Sequence, residues 1–163
     1  MTGDDGDCCE PAWLDDLEID AWRRLAAVLT VLPSELDAQM QRRADLNQFE
    51  YHVLSYLSEA PDRTLRISDL ATLVRGSLSR MSHLIKRLER RGWLRREPAP
   101  DDGRYTNAIL TDAGYEKLVS VAPVQLDVVR QLVLGQLTRT QLKQLREIGN
   151  RLLANVDSFK CVE

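Results

Sequence analysis

Residues 76–111 read GSLSRMSHLIKRLERRGWLRREPAPDDGRYTNAILT. Two periodicities meet in this stretch. Over 77–91, Leu78, Met81, Ile85 and Leu88 fall on one face of a helix, with Leu84 at its edge. The opposite face holds Ser79, Arg80, His83, Lys86, Arg87 and Arg90. Gly76 marks a tight turn ahead of this helix, and Gly92 ends it. Beyond Gly92 the pattern changes. "WLRRE" reads as a strand, "PAPDDG" as a turn and "YTNAILT" as the returning strand. A basic amphipathic helix is therefore followed directly by one short hairpin.

Upstream, "RISDLATLV" supplies a short helix carrying Leu70, Ala71 and Val74, with Ser68 as its expected cap. Two short helices around a glycine turn form a helix-turn-helix pattern, and the hairpin after the second adds a wing. A short strand is expected at 65–67. Asn47 followed by Glu50 marks another helix start, whose stripe is Phe49, Val53, Leu54 and Leu57 before Pro61. A long helix is expected over 13–44, with Leu14, Leu17, Ala21, Leu25, Val28, Leu29, Leu32, Leu36 and Met40 at helical spacing. Pro33 should kink or break it. Downstream, Thr111-Asp112 starts a helix to about residue 134, with Pro123 as an irregularity. Thr138 with Gln141 is a capping box for a last helix to about residue 156. The fold class is mainly α with a small β-hairpin wing.

The net charge of −3 conceals an asymmetry. Residues 1–20 carry eight acids and no base, whereas residues 63–104 carry eleven bases and five acids. The basic charge is concentrated on the helix-turn-helix and wing, where a polyanion would lie. Residues 1–12, with Gly, Asp and Pro11 and little to bury, read as a disordered acidic tail. No run of about 18 apolar residues occurs, so no membrane partner is expected. Nor does a charged segment precede an apolar one at the start, so the expected location is cytoplasmic. Cys8, Cys9 and Cys161 are too few and too scattered for a disulfide framework. His52 and His83 stand far apart, with no metal-ligand spacing, and no cofactor motif is present. Without a nucleophile, base and orienting group in one pattern, an enzyme is not expected.

An α-helix fits the major groove of DNA with its N-terminal residues toward the base edges. That end carries Ser77, Ser79, Arg80, Ser82 and His83, and Lys86 and Arg87 a turn later suit phosphates. For Ser77, capping its own helix is at least as good a role as contact. In the hairpin, Asp102-Gly103 suits a turn, but a turn does not ask for Arg104. An arginine oriented by Asp102 is a good probe of a narrow A·T minor groove.

The stretch from 77 to 118, with "RLERRGWLRR", the Asp102-x-Arg104 motif and "LTDAG", resembles the core of the MarR family of winged-helix repressors. "RISDLATLV" before it and "LTRTQLKQLREI" after it fit as well, and the likeness covers about 22–156. The resemblance implies a winged helix-turn-helix domain over 46–111 and a helical dimerisation region over 13–45 and 112–157. It implies a homodimer that binds double-stranded DNA at a near-palindrome, usually as a repressor. Release by a small phenolic or lipophilic ligand, or by thiol oxidation, is also implied. Trp22, Tyr51, His52 and Tyr56 are the expected lining of a ligand crevice. Two other readings remain open: a thiol-oxidation sensor acting through Cys8 and Cys9, and a winged-helix module that binds only protein.

Overall fold

The computed structural model describes residues 12–100 and 102–159. Cys8, Cys9, Cys161 and all but the last residue of the expected acidic tail lie outside that range. The elements are α1 (Asp16–Ala44), α2 (Gln48–Glu59), β1 (Thr64–Arg66), α3 (Ile67–Leu73), α4 (Leu78–Arg90), β2 (Leu94–Pro98), β3 (Thr106–Leu110), α5 (Asp112–Leu132) and α6 (Arg139–Phe159). By compactness the chain divides into two units at Ser34.

Residues 12–34 form the first unit's described part, the N-terminal half of α1. A reciprocal pair starts this helix: Glu18 N donates to Asp15 Oδ1, and Asp15 N donates to Glu18 Oε2. The expected break at Pro33 does not occur, and the helix assignment continues to Ala44. Pro33 and Leu29, the residue four earlier, are both exposed, so water can take the Leu29 carbonyl that the proline leaves unpaired. Leu17, Trp22, Leu25, Val28, Leu29 and Val31 are exposed on this stretch.

The second unit begins at Glu35. Its core gathers Met40 and Leu46, Val53, Leu54 and Leu57 of α2, Leu70 of α3, Met81, Ile85 and Leu88 of α4, and Ala108 and Leu110 of β3. The Asn47–Glu50 capping box starts α2 as its spacing suggests. Asp37 Oδ1 accepts from Gln48 N at 2.8 Å and ties that start to α1. Ser68 is not the cap of α3: the helix opens at Ile67 after an extended Arg66, and Ser68 donates to Asp69 instead.

The turn between α3 and α4 differs from expectation in one detail. Arg75, not Gly76, takes the left-handed conformation, at φ 51°. Gly76 leaves room for the Phe49 ring, because a Cβ there would stand 2.8 Å from Phe49 Cζ. Ser77 then caps α4, accepting from Arg80 N. Leu84 is buried rather than at the edge, and Leu78 is 59% exposed, because it opens the helix ahead of the turns that pack. The helix ends in a Schellman motif. Gly92, at φ 73°, donates to Glu89 O, and Trp93 N donates to Leu88 O.

The strands form an antiparallel sheet in the order β1-β3-β2. In register, Leu94 faces Leu110 and Arg96 faces Ala108, while Leu65 pairs with Ala108 from the other side. Thr111 caps α5 by accepting from Gly114 N. Gly114 lies so close to the preceding turn that a Cβ would stand 2.2 Å from Trp93 O. By length and composition Asp112–Gln136 is apolar enough to cross a membrane. Its Leu118, Val121 and Val128 are instead core residues, and Lys117 Nζ donates to Ala44 O at the end of α1. The Thr138–Gln141 box opens α6, as its sequence suggests. Leu145, Ile148, Leu152, Leu153 and Val156 are exposed along α6.

Candidate nucleic-acid interface

The exposed side of α4 and its cap carry the residues nominated for the recognition helix, but not all of them in the same state. Ser79, Ser82, His83 and Lys86 are exposed. Ser77 uses its hydroxyl as the helix cap. Arg80 is exposed, with its guanidinium carbon 4.0 Å from the centroid of the Phe49 ring. Arg87 is half-engaged elsewhere: its Nε lies 2.8 Å from Oε1 of Glu50, whose carboxylate is buried. The other oxygen of Glu50 accepts from Asn47 N at 2.9 Å. One carboxylate thus closes the start of α2 and holds an arginine of α4.

Two basic grooves flank α4. The first, about 490 Å³, is lined by Asn47 and Phe49 of α2's start and by Arg80, His83, Leu84, Arg87 and Arg90 of α4. The second, about 440 Å³, lies between α4 and β2 and is lined by His83, Lys86, Glu89, Arg90 and Arg96. Arg96 reaches Glu89 Oε2 at 2.7 Å. Phe49, Arg90 and Arg96 were not nominated from the sequence. The helical period does place Arg90 on the basic face. Nothing local marks Arg96, because its partner on α4 is set by how the hairpin packs.

At the wing tip, Asp102 and Arg104 form the pair the motif suggests. Arg104 Nε and Nη2 reach the two carboxylate oxygens at 3.0–3.1 and 2.7 Å, and Arg104 N donates to Asp102 Oδ1 at 3.0 Å. The Arg104 side chain is nonetheless 85% exposed. These bonds, first those from the Arg104 side chain, hold the Asp102 carboxyl below its ordinary value and raise Arg104 in turn. Tyr105 N donates to Asp102 O, which closes a four-residue turn. Gly103 has no positive φ and no neighbour near a would-be Cβ, so the turn does not depend on its being glycine. Behind the tip, the Arg66 guanidinium lies 4.8 Å from the Tyr105 ring centroid.

Of the four residues expected to line a ligand crevice, Trp22 lies in the first unit and Tyr51, His52 and Tyr56 in the second. His52 and Tyr56 share a pocket of about 250 Å³ with Ser55 and Glu59. Tyr51 is half-buried and packs against the core. Trp22 belongs to the first unit, where it is 57% exposed. Partial burial lowers the His52 pKa, opposed by the negative charge of Asp37. Gln48 Nε2 stands 3.0 Å from His52 Nε2, a contact that a neutral ring can accept. Among the described residues no group of His, Cys, Asp and Glu is arranged to hold a metal.

Comparison with known proteins points one way. The MarR family model matches residues 46–106. The chain is similar to Sco3205, a MarR family transcriptional regulator from Streptomyces coelicolor solved in complex with DNA. The identity is 44%, over 90% of this chain and 91% of that one, with a TM-score of 0.82. It is similar to AbsC, a MarR family regulator from the same organism, at 34% identity over 90% and 98% of the two chains, again with a TM-score of 0.82. The transcriptional repressor MprA of Escherichia coli K12 is 27% identical over 122 residues, 75% of this chain and 69% of that protein.

Proposed function

The chain belongs to the MarR family of transcriptional regulators, and from that premise we propose that it is a homodimeric repressor that reads a near-palindromic operator. The observation that carries the reading is the exposed face of α4: Ser79, Arg80, Ser82, His83 and Lys86 stand free of the core, while Met81, Leu84, Ile85 and Leu88 anchor the helix behind them. Such a helix enters the major groove with its first turn toward the base edges. Arg80 offers a bidentate contact to guanine, and Lys86 and Arg90 suit phosphates. Arg104, oriented by Asp102, enters the minor groove beside it. The protein works on DNA and so in the cytoplasm.

A second copy would cover the exposed apolar residues of α1 and of α6, each a long stripe that water alone penalises. The paired recognition helices would then lie one helical turn of DNA apart, about 34 Å. In this reading a single-ring phenolic or lipophilic ligand takes the pocket at His52 and Tyr56 and favours the arrangement that does not bind DNA. Titrating such compounds into the protein–DNA complex tests this: affinity falls if the ligand is an effector and stays constant if it is not.

The main reading is tested by selecting duplexes from a randomised library and comparing the winner with a scrambled duplex by fluorescence anisotropy. Preference of about 10³-fold or more is expected. Equal binding to both would overturn sequence-specific recognition, and a monomer mass by light scattering at micromolar concentration would overturn the dimer.

A further inference from the structure

We propose that Phe49 fixes the orientation of Arg80 and so sets the base preference of the recognition helix, an inference that rests on the DNA-binding reading above. Phe49 is on another helix and acts on recognition through the side chain it positions. It is the second residue of α2, in the turn closed by the Asn47–Glu50 capping box. Its ring edge presses on Gly76, where even a methyl group would stand 2.8 Å away, and the residue packs against the core. The ring is held from its backbone and from its edge, and its face is turned to the Arg80 guanidinium at 4.0 Å.

Arg80 is the third residue of α4, the end that meets base edges, and its own N–H is fixed by the Ser77 cap. A guanidinium stacked on a ring keeps its N–H edges free, because the π face takes up only its flat side. Arginine otherwise loses rotamer freedom when it binds a base bidentately. Stacking removes part of that loss before DNA arrives. The neighbouring Glu50 treats Arg87 differently, engaging its Nε through a buried carboxylate. The first turn of α2 is thus a platform for two arginines of α4: one paired by charge, the other oriented with its donors free.

The test compares the parent with Phe49→Leu, which keeps apolar volume but has no π face. The probes are the duplex selected by the parent protein, the same duplex with one G·C pair exchanged where Arg80→Ala loses its preference, and a scrambled duplex. Phe49→Leu is expected to lose about three- to tenfold in discrimination at that pair. Its affinity for the scrambled duplex and its salt slope should stay at the parent values, because no charge is removed. Arg80→Lys, which leaves the packing of Phe49 alone and keeps the charge but not the plane, should resemble Phe49→Leu. In an Arg80→Ala background, Phe49→Leu should add nothing. The proposal is overturned if Phe49→Leu discriminates as the parent does, weakens all three duplexes equally, or costs as much without Arg80 as with it. A parent that shows no preference among duplexes overturns instead the reading on which the proposal stands, before any variant is made.

Discussion

Arg87 of α4 and Glu50 of α2 form an ion pair at 2.8 Å, with the Glu50 side chain 3% exposed and the Arg87 side chain 46%. The pair ties the recognition helix to the start of α2. Replacing Arg87 by Ala leaves a buried carboxylate without its cation. Discounted for the exposure of the arginine, a loss of about 1–2 kcal/mol in folding stability is expected. Thermal unfolding should show a drop of several degrees, about 2–4 °C per kcal/mol at this size. Adding Glu50→Gln should recover part of it. An unchanged melting temperature in Arg87→Ala would show that the pair is ornamental and that Arg87 is available to phosphates.

Three glycines make a graded test of packing. Gly114→Ala places a methyl group against the Trp93 carbonyl at 2.2 Å, a backbone atom that cannot step aside. A loss of about 1–3 kcal/mol is expected despite the better helix propensity of alanine. Gly76→Ala meets the Phe49 ring at 2.8 Å, a longer approach and to a side chain rather than backbone, so its cost should be smaller. Gly103→Ala meets nothing within 4 Å and should change stability by no more than about 0.5 kcal/mol. Urea denaturation of the three variants checks the order, and a Gly103→Ala as damaging as Gly114→Ala would refute the account of the wing turn.

These glycines also show what the sequence discloses. Gly92 was legible as a helix stop because a Schellman ending is local, as were the caps of α2, α5 and α6, each set by residues three apart. The basic face of α4 and the Asp102–Arg104 pair were legible for the same reason. What decided Gly76 was a ring from another helix, and what occupied Arg80 and Arg87 were Phe49 and Glu50, some thirty residues away in the chain. Periodicity assigns these arginines to a face but does not say which cation on it is already engaged. Leu78 illustrates the converse: it has the right period yet sits one turn before the core begins. The helix does not break at Pro33 because an exposed helix position lets water take the carbonyl that the proline strands.

At the wing, the Asp102 carboxyl titrates below its ordinary range because Arg104 bonds to its charged form. The folded value lies below the unfolded one, so this pairing contributes above the ordinary carboxylate pKa and is lost as pH falls through the folded value. The orientation of Arg104 should therefore persist to pH 5 and below. A carbon-detected NMR titration of Asp102 checks the direction, and an ordinary or raised midpoint would contradict it. Arg104→Ala should weaken operator binding roughly tenfold and lower the salt slope by about one counterion. Asp102→Asn, which keeps the cation but loosens it, should weaken binding less and leave the slope unchanged.

The exposed stripe of α6 offers a test of self-association. Ile148→Arg places a charge among Leu145, Leu152 and the other apolar residues of that helix, and a buried unpaired charge at an interface is strongly unfavourable. Sedimentation should report a shift from dimer toward monomer with helix content retained. A variant as dimeric as the parent would move the interface away from this face of α6.

Hydroxyl-radical and methylation footprinting of the parent protein on its selected duplex tests recognition by α4 and the wing most directly. The account predicts two protected major-groove segments about one helical turn apart, each flanked by a protected minor-groove segment that becomes reactive again in Arg104→Ala. A single protected patch, or protection that ignores sequence, would contradict it.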